Sequence, residues 1–465
     1  MDPRAPLDDA DPLEEEAPCL TIGQIDPIEE EALISAMQDR ANDAIRSYRT
    51  DSYYRAQIPS NAEAQVEYLL KEYRSVFSSK LTGRPPCKVD PIRIPLKEGV
   101  TPIQSKALRY PPQKQTFLSD TCAGLEGENL VRPVRSAEWV AAPLLVPKAP
   151  PAMFRMTVDL RPINNATVKD DRPMPNMDTM LLDVQKAHFF AQMDMTHAYF
   201  QVSIHPEDRH KHTFRGADSH TLYEPLRSLQ GAKNSGIHLQ VGATQAFKDI
   251  AKHILIWLDD WLLHATTFSD HMEIMENFLA LCRDWNFTLS PEKCNLITRK
   301  AKWCGRIITA DGITLDPRRI DGLLSMQRPE TAGDLQQFIC AINWMRKGIP
   351  EYNKNVGPLQ TLLLTLTKGH GSKKKALEKV QLGPDIWTPE VHNMFEDIKR
   401  LIADRVTLSH LDPDMRLCMN TDASEHYWAG VLTQIPQEDA AKPQEEQRHE
   451  PLAFDSGAFS GAMAR

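Results

Sequence analysis

The chain is patterned in short, bulky apolar runs that stop abruptly on acidic residues. Leu255-Ile256-Trp257-Leu258 runs into Asp259-Asp260, and Trp261-Leu262-Leu263 follows at once. Runs of this length and bulk read as buried strands. An Asp-Asp pair between them reads as the turn of a hairpin, because aspartate favours turns. Phe189-Phe190-Ala191-Gln192-Met193-Asp194 is an earlier apolar run that also ends on an acid. Residues 139–148 and 154–160 flank Ala149-Pro150-Pro151-Ala152 and predict a further hairpin.

Helical spacing appears at Ala62, Val66, Leu69, Leu70, Tyr73 and Val76, and again over residues 115–130 and 334–346. Thr388-Pro389-Glu390 starts another helix, which runs to about residue 401. Ser269 is the expected N-cap of a helix ending near Trp285, with Met272, Met275, Phe278, Leu279 and Cys282 as its core face. Strands are expected over residues 295–297, 303–308 and 417–421. The proline-rich stretch 85–112 is expected to lie extended across a surface. Residues 369–375 read as a basic, glycine-containing loop, a solvated surface or a phosphate contact.

Composition adds bounds. A chain of 465 residues holds two to four domains. Mean hydropathy is −0.43 and no apolar run reaches about 18 residues, so no membrane span is expected. The eight cysteines include no Cys-x-x-Cys pair, which points to reduced thiols in a cytoplasmic protein and away from a zinc site. The net charge of −9 sits wholly in residues 1–60, which hold 14 Asp/Glu against 5 Lys/Arg. That stretch reads as an acidic disordered spacer with a short amphipathic helix over residues 33–45. The remaining body is neutral, so a basic groove is permitted but not announced.

The chemistry lies in the carboxylates. A buried hairpin with two adjacent anions at its tip is costly unless a cation sits there, and oxygen-only ligands suit Mg²⁺. The bland alternative is an exposed Asp-Asp turn, against which Trp257 and Trp261 argue for burial. If the strand ending at Asp194 pairs with the hairpin, Asp194 and Asp259 can share two metal ions, as in two-metal phosphoryl transfer.

Several motifs stand in order: Phe154-Arg155-Met156-Thr157-Val158-Asp159-Leu160-Arg161-Pro162-Ile163-Asn164, then Met193-Asp194 with Ala198-Tyr199-Phe200, then Leu258-Asp259-Asp260. From about residue 66 to the last, this series resembles the pol polyprotein of gypsy-type LTR retrotransposons, which encodes a reverse transcriptase. The resemblance implies an α+β right-hand polymerase of fingers, palm and thumb, a connection segment and a truncated RNase H-like α/β domain. The expected divisions are residues 1–60 spacer, 61–135 lead-in and fingers, 136–266 fingers and palm, 267–345 palm end and thumb, 346–410 connection and 411–465 RNase H-like.

The resemblance also implies site roles. Asp194, Asp259 and Asp260 would be the catalytic carboxylates that hold two Mg²⁺, with Mn²⁺ as a substitute. Lys148 and Arg155 would grip the incoming dNTP from opposite sides of their hairpin, although Lys148 also reads as a surface lysine. Tyr199 would lie under the sugar and reject a ribose 2′-hydroxyl; the alternative is a core aromatic. Gln230 would touch the nucleotide and Gln240 the template. Trp303, Cys304 and Gly305 would form a primer grip. Implied partners are an RNA template, a DNA primer and dNTPs, with no membrane.

Asp422 would be the first RNase H metal ligand. The next family carboxylate lies beyond a segment resembling residues 451–464, so RNase H activity is expected to be lost. The sequence also departs from the family. Trp257 replaces the usual tyrosine, Gln230 stands where gypsy-type elements carry an aromatic, and residues 226–229 and 235–239 lack expected prolines. No protease motif or integrase region is present, so the chain reads as a fragment. The rival expectation is a catalytically dead remnant that keeps the fold and at most binds RNA–DNA duplex.

Overall fold

A computed structural model of the chain describes residues 27–147, 154–184, 187–218, 220–343, 345–370, 374–403 and 406–459. They form two compact units, one within Pro18–Cys304 and one within Gly305–Arg465. The cut falls inside the stretch expected to hold palm end and thumb.

The first unit is built on four antiparallel strands in the order Ile254–Trp257, Asp260–Ala265, Phe189–Asp194, Asn295–Thr298. The first three of these strands are buried at nearly every residue, so both faces of the sheet are covered. This is why the sequence shows continuous apolar runs and no alternation of polar and apolar positions. Helix Phe268–Asp284 packs Ile274, Met275, Phe278, Leu279 and Cys282 inward. Its N-cap is Thr267, whose hydroxyl accepts from the Asp270 N–H at 3.1 Å, and not Ser269. Phe268 is already in the core, so the helix must begin there. Phe247 anchors the sheet, with its ring 4.8 Å from Trp261 and 5.1 Å from Phe278.

Around this sheet lie the smaller elements of the unit. Helix Pro112–Gly127 stands beside the antiparallel set Val131–Val134, Leu222–Pro225 and Phe214–Arg215. The expected hairpin forms from Pro143–Pro147 and Phe154–Val158, with Val146 opposite Arg155. Its tip, with Lys148, lies outside the described residues.

The acidic stretch requires a correction. Pro27–Thr50 is a 24-residue helix that enters the core of the first unit through Ile34, Met37, Ala41, Ile45 and Tyr48. These apolar positions fall three or four apart on one face. Averaging composition over 60 residues hides a stripe of five. Glu29 and Glu30 in the first turn and Arg49 in the last suit the helix dipole. Tyr54 and Ile58 are also buried, so the spacer expectation fails over residues 27–60. Residues 1–26 lie outside the described residues.

The second unit opens with the hairpin Arg306–Thr309 and Gly312–Leu315. Helices Pro317–Leu324, Ala332–Asn343, Tyr352–His370 and Pro389–Ala403 enclose Ile320, Phe338, Ile342, Trp387, Phe395 and Ile398. Part of the predicted 369–375 loop is helical, since one helix runs to His370 and another spans Lys374–Leu377; residues 371–373 are not described. An antiparallel sheet of Arg416–Ala423, Tyr427–Ile435 and Glu450–Ala458 follows.

If the N-terminal helix is part of the core, Ile45→Ala lowers unfolding stability by about 2–5 kcal/mol. Urea unfolding of the full chain reads this directly, and a shift near zero would return the helix to a spacer role.

Candidate active site

The site begins with a turn. Trp257 pairs with Asp260, so only Leu258 and Asp259 remain to join the two strands. A two-residue hairpin loop of this kind favours glycine at its first position, where φ is positive. Leu258 occupies that position with φ +56°. An L-residue there costs about 1–3 kcal/mol and persists only if its surroundings hold it. The holding group is Gln240 on helix Ser235–Ala246. Its amide oxygen accepts from the Leu258 N–H at 2.8 Å, and its amide nitrogen donates to the Ile256 carbonyl at 2.9 Å. The Trp261 indole donates to the Leu258 carbonyl at 2.9 Å and completes the clamp.

Strand register then gathers the acids. Asp194 and Asp260 are direct Cα partners across adjacent strands, and Asp259 is one residue away on the turn. Lys293 Nζ lies 3.2 Å from the Asp194 carboxylate. The Cys304 N–H donates to Asp260 Oδ2 at 3.0 Å, and the Trp303 indole donates to the Asp260 carbonyl at 3.1 Å. Behind Asp194, the Cys294 thiol accepts from its N–H at 3.4 Å and lies 3.6 Å from its carbonyl oxygen. Burial, with the Asp194 charge beside it, pushes this thiol up to about 12. Among the described residues no three His, Cys, Asp or Glu side chains converge closely enough to hold a metal ion. The backbone thus brings the acids together, while Lys293 and Cys304 engage two of their carboxylates.

Two nucleotide-site candidates meet on the fingers side, where Arg155 donates to the Gln230 side-chain oxygen. The loop carrying Gln230 is pinned by Asn164, whose amide donates to the Gly231 carbonyl at 2.8 Å and accepts from the Lys233 N–H at 3.0 Å. Lys233 Nζ returns to the Thr167 carbonyl at 2.8 Å. Tyr199 is half-buried near the Leu258–Asp259 turn. Burial, and then the charge of Asp259, push its hydroxyl up to about 12. A Cβ added at Gly236 would lie 3.9 Å from this hydroxyl and 3.4 Å from Leu258, so Tyr199 and the turn face the same helix end. His197, between Asp194 and Tyr199, is held down to about 4 by burial and by Lys293 and Lys80.

The other candidates fall elsewhere. Gln240 does not face a template: it is 2% exposed and both ends of its amide are used on the turn. Trp303 is buried against Asp260 and Cys304 lies beside it. Gly305 opens the second unit with φ +74°, where an added Cβ would stand 2.5 Å from the Arg319 guanidinium carbon. Asp422 is exposed on strand Arg416–Ala423, opposite Ala429. Lys293, Cys294 and Asn164 were not singled out for their contacts, since only the fold brings them to the acids or to the Gln230 loop.

Gln240→Met leaves the Leu258 N–H and the Ile256 carbonyl unpaired, which costs about 2–4 kcal/mol in unfolding stability. Denaturant titration checks this. A residue that merely touched template would leave the midpoint unmoved.

Comparison with known proteins accords with this geometry. A model of the family described as reverse transcriptase (RNA-dependent DNA polymerase) matches residues 146–308. A model of the RNase H-like domain found in reverse transcriptase matches residues 387–465. The retrovirus-related Pol polyprotein from transposon 297 of Drosophila melanogaster is 26% identical over 343 residues, which is 72% of this chain and 30% of that protein. The genome polyprotein of Petunia vein clearing virus is 27% identical over 349 residues, covering 73% and 15%. The transposon Tf2-3 polyprotein of Schizosaccharomyces pombe is 24% identical over 386 residues, covering 82% and 27%. The chain therefore spans less than a third of the length of each of these relatives.

Among solved structures, the foamy viral protease-reverse transcriptase in complex with dsDNA superposes with a TM-score of 0.75 at 17% identity, covering 96% of this chain and 84% of that one. The same enzyme with RNA/DNA hybrid gives 0.73 at 17% identity, covering 98% and 55%. This likeness shows the fold, a right-hand polymerase followed by an RNase H-like α/β domain. Residues 146–308 thus match a reverse transcriptase domain and residues 387–465 an RNase H-like domain, and the chain's relatives are retrotransposon and viral polyproteins.

Proposed function

We propose that this chain is the RNA-directed DNA polymerase part of a gypsy-type retrotransposon polyprotein, adding dNTPs to a DNA primer on an RNA template. The observation that carries the reading is the pairing of Asp194 with Asp260, with Asp259 on the adjoining turn, inside a reverse transcriptase domain. The donor set fits Mg²⁺, since all three side chains offer hard oxygen ligands from one end of one sheet. Lys293 Nζ lies beside the Asp194 carboxylate and helps to hold it in place. When bound, two Mg²⁺ ions would lower the pKa of the primer 3′-hydroxyl and neutralise the leaving pyrophosphate. Asp194, Asp259 and Asp260 would hold them.

The protein's own groups supply position. Arg155, with Gln230 at its guanidinium, offers charge and a hydrogen-bonding amide to a triphosphate, and Lys148 would add a second cation. Tyr199 presents a ring beside the catalytic turn, where it can exclude a 2′-hydroxyl. Trp303 and Cys304 tie a primer-end turn to Asp260. Duplex binding is inferred from the foamy viral enzymes, which were solved with dsDNA and with RNA/DNA hybrid. No helix among the described residues is long and apolar enough to cross a membrane, and the cysteines described are free thiols, which accords with a cytoplasmic site of action.

A second reading, a catalytically silent remnant that keeps the fold and binds duplex, is favoured by Lys293 and Cys304 engaging two of the three carboxylates. The two readings part on mutation. Asp194→Asn lowers RNA-templated dNTP incorporation by about 1000-fold or more, the equivalent of several kcal/mol of lost charge stabilisation. Trace activity unchanged by the mutation would belong to a contaminant and leave the remnant reading. Tyr199→Val raises ribonucleotide use relative to deoxynucleotide by roughly 10- to 100-fold. Unaltered sugar discrimination would make Tyr199 a core residue only.

A further inference from the structure

The N-terminal helix reaches toward the active site from behind. Tyr48 on this helix donates to the His188 carbonyl at 2.7 Å and the Thr298 carbonyl at 3.1 Å, and so fastens it to two strands of the central sheet. Two turns earlier, Arg40 spans the segment that precedes the edge strand. Its guanidinium donates to the Pro291 carbonyl at 2.8 Å, the Cys294 carbonyl at 2.9 Å and the Asn295 side-chain oxygen at 3.1 Å.

That segment grips Asp194 from its other side. The Ser290 N–H donates to the Asp194 carbonyl at 2.9 Å, and the Cys294 N–H closes back on the Ser290 carbonyl at 3.0 Å. Lys293 pairs with the Asp194 carboxylate, and the Cys294 thiol spans its backbone. These groups that hold Asp194, from Ser290, Lys293 and Cys294, all stand on one turn, residues 290–294. The Pro291 and Cys294 carbonyls of that turn are satisfied by Arg40 and not by a strand ladder. A planar guanidinium offers five donors in a fixed fork, so one side chain serves these acceptors in a preset geometry.

The geometry points to Arg40 as a positioning residue for Asp194. The helix that carries it is then a buttress of the polymerase site, acting through the 290–294 turn. The assignment rests on the polymerase reading for the role of Asp194. It commits to a mechanical path: losing the fork loosens the turn, and a loosened turn no longer presents Asp194, Lys293 and Cys294 in register.

The test uses the full chain with Arg40→Gln, and with Arg40→Lys as a milder variant that keeps the stem and charge. Iodoacetamide labelling of the folded protein, mapped by mass spectrometry, reads the turn without any need for activity. Cys294, fully buried in the wild type, is expected to label about tenfold faster through local opening. Cys282, buried on the neighbouring helix, should stay protected. In an active preparation the half-saturating Mg²⁺ concentration rises roughly tenfold, the usual effect of losing a group that orients a metal ligand. Unchanged Cys294 labelling, equal labelling of both cysteines, or an unchanged Mg²⁺ requirement overturns the assignment and leaves Arg40 as a helix anchor. An inactive wild type whose variant labels selectively at Cys294 faults the polymerase reading and leaves the Arg40 assignment standing.

Discussion

Everything at the candidate site depends on one backbone constraint, the positive φ at Leu258. Pairing of Trp257 with Asp260 leaves only two residues to reverse the chain. The reversal forces Leu258 into a conformation that L-residues resist, and Gln240 holds it there with two hydrogen bonds. Because the turn is this short, Asp260 lands opposite Asp194 and Asp259 sits at the tip. A longer loop would slip the register, and a one-residue slip turns a strand's side chains to the opposite face. The clamp, the sheet register and the meeting of the acids are thus one mechanical unit.

That unit is supported from two sides. On the fingers side, Asn164 and Lys233 stitch the Gln230 loop to a short helix, so that Arg155 and Gln230 meet. On the far side, the N-terminal helix and Arg40 brace the turn that carries Lys293 and Cys294. The departures from the family pattern fall between these supports. Trp257 is only half-buried beside the turn, where a larger ring can stand without a cavity cut for it. Near the missing prolines of residues 226–239, the Ser228 and Ser235 hydroxyls are in hydrogen-bond contact at 2.6 Å.

How far the sequence could be read follows from the range of each interaction. Strands on either side of Asp259 and Asp260, the fingers hairpin and the helix over residues 268–284 were legible because their apolar periodicity is local. The proximity of Asp194, Asp259 and Asp260 was legible because apolar runs ending on acids predict paired strands, and buried charge is costly. The helix Pro27–Thr50 was hidden because its five apolar positions are diluted by acids along the remaining faces. The resemblance aligns Gln240 with a template-side position, while its partners, Ile256 and Leu258, are set by how a helix packs on a hairpin. Lys293, Cys294 and Arg40 act across some 100 and 250 residues of chain, and no local pattern encodes such a contact.

On the proposed reading, this sheet presents Asp194, Asp259 and Asp260 as the working acids of an RNA-directed DNA polymerase. Primer extension on poly(rA)/oligo(dT) with Mg²⁺ or Mn²⁺, run beside Asp259→Asn, tests it most directly. The account predicts extension by the wild-type chain and none by the variant. No extension from folded wild-type protein would contradict it and leave a polymerase fold without its chemistry.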